Sequence, residues 1–361
     1  MFIQQKSYLR DIKRVRVSEG RNLAEGLRLD RNEKVDVWPE NFLTDLFAKR
    51  PNYFLSVYPE SATLYRKLSQ FLNLSESQIQ LTSGIDGGIK NFFEVMTSPG
   101  DRVGVFSPTY AMYQVYSRIF QVSLTEIGYT PDLQLDRDQL DAFLETKPSI
   151  LFVPNPNQPI ESALSVTELK DLAKRTLAQN CMLVIDEAYY MFGCDTGLSL
   201  IDQYENVVVC RTFSKAFGLP AIRLGFMVSN TENMHVLSTP RFAHESNALS
   251  NAVAEHLLDN FEVVQSYVDE VVAGRDFARE ELAKLGVKTH GSKGNYLLLD
   301  LGSPEKAGQV VTALREQRIY VKGPWRAPWD KYITITCGPT RLMQRFTQAM
   351  GPLKSKIGFG G

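Results

Sequence analysis

Short apolar runs recur along the chain with helical segments between them. "DRVGVFS" (101–107), "SILFVP" (149–154), "CMLVID" (181–186), "NVVVCR" (206–211) and "RLGFMVS" (223–229) read as strands. Between the second and third of these, "SVTELKDLAKRTLA" (165–178) reads as a helix. Leu169, Leu172, Ala173 and Leu177 share one face, and Ser165 with Glu168 forms a capping box. Nearly continuous apolar strands separated by amphipathic helices predict a mostly parallel sheet covered on both faces. From about residue 256 the texture changes. A long helical region (roughly 251–285) leads to "NYLLLD" (295–300), a further helix, "YITITC" (332–337) and a C-terminal helix. The expected fold class is therefore α/β. A large domain spans 46–255, and a smaller α+β domain combines 1–45 with 256–361. The first 45 residues lack periodicity and are expected to pack on the smaller unit.

Composition narrows the classes. A chain of 361 residues can bury a large core and is long for one compact unit. Forty basic against 41 acidic residues give a net charge of -1, which offers no general attraction to nucleic acid or anionic lipid. Cys181, Cys194, Cys210 and Cys337 are scattered without metal-ligand spacing and read as reduced thiols. No apolar run reaches membrane-spanning length. The N-terminal stretch "MFIQQKSYLRDIKRVRVSEGR" has no continuous apolar segment of the secretory kind. The expectation is a soluble cytoplasmic protein with a small-molecule substrate and no metal, nucleic-acid or membrane partner.

Polar clusters fall at the ends of the strand-like runs, where ligands bind in open α/β sheets. "TSGIDGGIKNFF" (82–93) is a glycine-rich turn entering an apolar helix, so free N–H groups at Gly84, Ile85 and Asp86 face an anion. Its glycines at 84, 87 and 88 do not have dinucleotide-fingerprint spacing. "SPTYAMYQVY" (107–116) puts Tyr110 just after a strand, and "VIDEAYYMF" (184–192) ends one in Asp186 with Tyr189 following. "VVVCRTFSKAFGLPAIRLGF" (207–226) holds Thr212, Ser214, Lys215 and Arg223 between two apolar runs. Singly these are a tight connection, a packed tyrosine, a helix cap and a loop lysine. Together they match pyridoxal phosphate. That cofactor needs a lysine amine for its aldehyde and a carboxylate to keep the ring nitrogen protonated. It also needs an aromatic face, a phenol near the ring hydroxyl, and a helix N-terminus with hydroxyls and an arginine for the phosphate. Lys215, Asp186, Tyr110, Tyr189, the Gly84–Gly88 turn, Thr212, Ser214 and Arg223 supply them.

In order along the chain, "LRLDRNE" (27–33), "VYPESATLYRKLSQFLNLSESQIQLTSGIDGG" (57–88), "PTYAMY", "NPNQP", "IDEAYYMF", "RTFSKAFGLPAIRLGF" and "GNYLLLD" resemble fold-type I pyridoxal-phosphate aminotransferases of class I/II. The likeness is to the histidinol-phosphate aminotransferase group and covers nearly the whole length. It implies an aminotransferase acting on a small amino acid or amine, phosphorylated or not, with Lys215, Asp186, Tyr110 and Tyr189 as catalytic residues. It implies that Asn32 lies near the substrate. It also implies a homodimer with shared sites, in which Tyr58 reaches the neighbouring subunit's cofactor phosphate. Two departures stand out. The group's Asn-Pro-Thr-Gly reads here Gln158-Pro159-Ile160-Glu161 after Asn157. Either Asn157 or Gln158 is expected to contact the ring hydroxyl, with Asn157 preferred because the longer side chain would need the loop to shift. Thr334 stands where the group carries an arginine that clamps the substrate carboxylate, leaving Lys322 and Arg326 as substitute candidates. The lost clamp keeps two alternatives open: a decarboxylase of a phosphorylated amino acid, and a catalytically inactive scaffold.

Overall fold

The computed structural model describes residues 4, 6–10, 12 and 23–360. Most of the N-terminal stretch read above for a secretory signal lies outside the described residues. The strands are β1 (Leu27–Leu29), β2 (Ile79–Thr82), β3 (Arg102–Phe106), β4 (Ser123–Ile127), β5 (Ile150–Pro154) and β6 (Met182–Asp186). They continue as β7 (Val207–Thr212), β8 (Gly225–Val228), β9 (Lys288–His290), β10 (Tyr296–Asp300), β11 (Ile319–Val321) and β12 (Tyr332–Thr336).

Seven of them form one sheet in the order β2-β8-β7-β6-β5-β3-β4. All neighbours are parallel except β8, which runs antiparallel to both β2 and β7. The mostly parallel sheet expected from the apolar runs is what forms. Both faces are covered, and the strand period of two sorts the side chains between them. Leu151, Val153, Leu183, Ile185, Val207 and Val209 join the core on one face. Ile150, Phe152, Val184, Val208 and Cys210 join the core on the other. Burying side chains of this size stabilises by ~1.5–3 kcal/mol each, so the strand ends that carry polar groups sit on a stiff platform. The Val166–Leu177 helix on one face has the capping box read from sequence, with Ser165 Oγ accepting from the Glu168 N–H.

The C-terminal part has its own core. An antiparallel sheet of order β12-β10-β9 and a parallel pair β1-β11 pack against the helices Phe261–Lys284, Pro304–Glu316 and Thr340–Ile357. The single long helical region expected near 251–285 is two helices, Ala248–Asp259 and Phe261–Lys284, because Asn260 between them leaves helical geometry (φ -125°, ψ 52°). Glu161 ties the loop after β5 to the turn before β10. Its carboxylate accepts from the N–H groups of Ser292 (2.8 Å), Lys293 (2.8 Å) and Gly294 (3.1 Å). No described helix is long and apolar enough to cross a membrane.

Candidate active site

The chain leaves β3, β5, β6 and β7 at one edge of the sheet, and the polar residues there surround a cavity of about 510 Å³. Asp186 is the last residue of β6, and Lys215 lies three residues beyond the end of β7. Both line the cavity. A buried ion pair joins the two strand ends behind them: Arg211 on β7 donates to Glu187 through Nε (3.0 Å) and Nη2 (2.9 Å). Glu187 also accepts from the Gly197 N–H and the Thr196 hydroxyl. Removing one partner of a buried pair such as this costs about 3–5 kcal/mol, so the positions of Asp186 and Lys215 are firmly fixed.

Asp186 is buried and accepts from the Tyr113 hydroxyl at 2.8 Å and the Ala188 N–H at 3.0 Å. Burial raises its pKa to about 6, and the bond from Tyr113 opposes the rise. Lys215 Nζ donates to the carbonyls of Arg31 (3.2 Å) and Asn32 (3.1 Å). Burial lowers its pKa to about 8, helped by the positive charges of Lys322 and Arg223 and opposed by Glu33 and Asp186. An amine in that range can both take and give a proton near neutrality.

The glycine turn and Arg223 form the cavity's anion end. The helix Gly84–Met96 starts there, with Gly84 at φ +66°. A Cβ on Gly84 would lie 2.9 Å from Arg223 Nη2, and one on Gly225 would lie 2.8 Å from the Gly84 carbonyl carbon. Only glycines let the guanidinium and β8 approach the helix N-terminus so closely. Arg223 Nη1 donates to the Pro220 carbonyl at 3.1 Å. Thr212 and Ser214 line the same region and are bonded to each other, Oγ1 to Oγ, at 3.0 Å. Ile85 and Asp86 line it too, with Asp86 accepting from Tyr116 at 3.1 Å.

Tyr110 and Tyr189 also line the cavity. The Tyr189 hydroxyl accepts from Asn32 Nδ2 at 3.1 Å, and burial raises its pKa. Asn32 itself is off the cavity wall and buried, with its backbone in the left-handed region (φ 53°). Thr336 and Asn295 hold it as well, so here it positions Tyr189 and Lys215.

Of Asn157 and Gln158, the one preferred from sequence is not the one on the cavity wall. Asn157 is fully buried, and its amide donates to the Pro108 and Ile160 carbonyls at 3.0 and 2.9 Å. Gln158 is the one that lines the cavity. The substitute clamps are not on this wall either. Arg326 lines a second cavity of about 480 Å³ that shares Thr109 and Tyr110 with the first. Lys322 is solvent-exposed and lies over the Trp325 ring, 4.4 Å from its centroid. Thr334 is buried under Trp325, accepting from its Nε1 at 2.9 Å. Tyr58 is 77% exposed and stacks on His244 at 4.5 Å, away from this cavity. Three residues that matter were not singled out from sequence. Tyr113 lay within "PTYAMY", three residues after Tyr110. Arg31 and Glu33 lay within "LRLDRNE", on either side of Asn32, and both line the cavity.

A large β8-reversed parallel sheet with a lysine, a buried carboxylate and an arginine-backed helix N-terminus around one cavity defines a vitamin B6 enzyme of the aspartate-aminotransferase-like fold. The chain belongs to the aminotransferase class I and II family, whose profile matches residues 21–349. It is 30% identical over 330 residues to histidinol-phosphate aminotransferase 1 of Carboxydothermus hydrogenoformans, covering 91% of this chain and 93% of the relative. It is 31% identical to the dihydroxyacetone phosphate transaminase of Campylobacter jejuni, covering 82% of each chain. In structure it is similar to histidinol-phosphate aminotransferase from Sinorhizobium meliloti in complex with pyridoxal-5'-phosphate, with a TM-score of 0.86, 20% identity and 99% of both chains covered. The protein is a pyridoxal-phosphate-dependent aminotransferase. These comparisons favour transamination over the decarboxylase alternative and support an enzyme rather than an inactive scaffold.

Proposed function

We propose that the protein transfers an amino group between an α-amino acid and a small phosphate-bearing compound, with Lys215 as the residue that carries the cofactor and moves the proton. The observation that carries this reading is the placing of the Lys215 amine, the Asp186 carboxylate and the Arg223-backed helix N-terminus on one cavity wall. The residues fit the cofactor. Gly84 and Gly225 let Arg223 and β8 pack against the helix N-terminus where an anion would sit, and the cavity is large enough for a ring, its phosphate and a small substrate. Two relatives named for phosphorylated substrates support the phosphate-bearing class.

Pyridoxal phosphate, when bound, supplies an electron sink for a carbanion at the substrate's reacting carbon. The protein's residues do the rest. Asp186 would favour a proton on the ring nitrogen by its charge, and the Tyr113 hydroxyl donates to that carboxylate, which favours its ionised form and aims it. Tyr189 and Gln158 stand as the polar groups for the ring hydroxyl. Tyr110 walls the ring's face. Gly84, Ile85 and Asp86 N–H groups, Thr212, Ser214 and Arg223 receive the phosphate. Lys215, whose pKa burial lowers, would with the cofactor bound be the base positioned for the proton on the substrate's reacting carbon. The exposed Tyr58 supports a homodimer in which it serves the neighbouring subunit. The four free thiols suit a reducing cytoplasm.

Two measurements test the reading. Borohydride treatment of the yellow holoenzyme followed by peptide mapping should fix the cofactor on Lys215; a label on another lysine removes that assignment. Glutamate added to the holoenzyme should convert the cofactor to its amine form with release of a keto acid. Release of carbon dioxide instead would make the enzyme a decarboxylase.

A further inference from the structure

The Lys215 cavity has three basic residues in its wall: Arg31, Lys215 and Arg223. Two are already engaged. Arg223 is packed over Gly84 at the helix N-terminus, and Lys215 is the reacting amine. Thr334 offers no charge, is buried, and is bonded to Trp325. Lys322 and Arg326 lie off this wall. Arg31 is different. Its side chain is exposed, and among the described residues nothing pairs with its guanidinium. Its own carbonyl sits 3.2 Å from Lys215 Nζ, so the side chain springs from the backbone beside the reacting amine. A donor's α-carboxylate is one bond from the carbon that Lys215 deprotonates, whereas a distal phosphate is further off.

We propose that Arg31 binds the α-carboxylate of the amino-acid donor, the part that Thr334 cannot play. The inference rests on the aminotransferase reading with an α-amino acid donor. A guanidinium presents two parallel N–H groups to a carboxylate at fixed geometry, which a lysine cannot do. Arg31 therefore sets selectivity for donors that carry a carboxylate on the reacting carbon.

The test compares glutamate with isoglutamine, its α-amide, which has the same shape but a neutral group at that position. Binding is read with the α-methyl analogues of both, which cannot lose an α-proton, by titrating the absorbance of the holoenzyme. Arg31→Gln is expected to weaken α-methylglutamate binding ~10- to 100-fold while leaving the α-amide analogue within about twofold. Arg31→Lys should fall between, because it keeps the charge and loses the fork. Equal losses for both analogues would make Arg31 a structural residue and overturn the proposal. Unchanged binding in Arg31→Gln with a loss in Lys322→Ala or Arg326→Ala would move the clamp to those residues. A wild-type enzyme that binds the two analogues equally would also overturn it. A wild-type enzyme that no α-amino acid can convert would instead sink the donor reading on which the inference stands. If Arg31→Gln does not retain cofactor, the Arg31→Lys ratio between the two analogues decides.

Discussion

Asp186 has a pKa of about 6 against an ordinary 3.8, with burial as the main cause. Between those values the folded chain still binds a proton that the unfolded chain has released. Stability contributed by this group therefore falls as pH rises from about 4 to about 6 and stays lower above it. Asp186→Asn removes the buried charge. The cofactor-free variant is expected to be more stable than wild type by ~2–3 kcal/mol at pH 8 and no more stable at pH 4, as urea unfolding would show. The same variant should lose ~10²–10³ in turnover, because a neutral amide cannot hold the ring nitrogen protonated. Equal stability at both pH values would mean that burial does not penalise this carboxylate. Lys215 behaves in the mirror sense. Its pKa lies near 8 against 10.5, so its cost is full below about 8 and disappears as pH rises towards 10.5. Tyr113 is the lever on Asp186. Tyr113→Phe removes a donor to the carboxylate, so the acidic limb of the kcat/KM profile should move to higher pH. A limb that stays in place would assign it to another group.

The turn between β2 and the Gly84–Met96 helix concentrates two constraints in one residue. Gly84 needs a left-handed backbone and leaves no room for a Cβ beside Arg223. Gly84→Ala should therefore loosen the phosphate end, raising the dissociation constant for pyridoxal phosphate at least tenfold while the far-ultraviolet circular dichroism stays native. Retained affinity would show that Arg223 can retreat without loss. The same region shows what a linear pattern reveals. β3, β5, β6, β7, β8, β10 and β12 were all readable, most because buried strands run apolar on both sides and β12 because isoleucine alternates with threonine. β4 was not, since it is an edge strand whose residues are mostly exposed and whose sequence, SLTEI, contains no apolar run. The reversal of β8 was also invisible, because hydrophobicity reports burial and carries no direction. In the site, Lys215, Asp186 and Arg223 were legible because charged residues at buried strand ends demand an explanation. Tyr113 was not, since an aromatic residue on an apolar helix face reads as packing. Arg31 and Gln158 sit in irregular loops, where no period says which way a side chain turns.

Tyr58 gives the assembled molecule its test. A side chain that is 77% exposed and outside its own subunit's cavity does nothing for catalysis in a monomer. In the proposed homodimer, Lys215→Ala and Tyr58→Phe variants would each be weak alone. Mixed under conditions that allow subunit exchange, they should regain activity, because each hybrid then holds one site with an intact lysine and the partner's intact tyrosine. Sizing chromatography should show two copies per particle. No gain on mixing would place Tyr58 outside any shared site.

The bond from Trp325 Nε1 to the Thr334 hydroxyl makes those two positions one unit. An arginine at 334 has no space while the indole covers that buried site, and overpacking costs ~1–3 kcal/mol. Thr334→Arg alone should lower the melting temperature and gain no affinity for glutamate, whereas Thr334→Arg with Trp325→Ala should recover stability and bind the donor more tightly. The single variant outperforming wild type would show that the indole yields freely. Between this arrangement and one with an arginine at 334 there is therefore a valley, because the threonine and the indole above it are packed as a pair. Crossing it takes two coordinated changes, and selection acting on single substitutions keeps the present pair where it is.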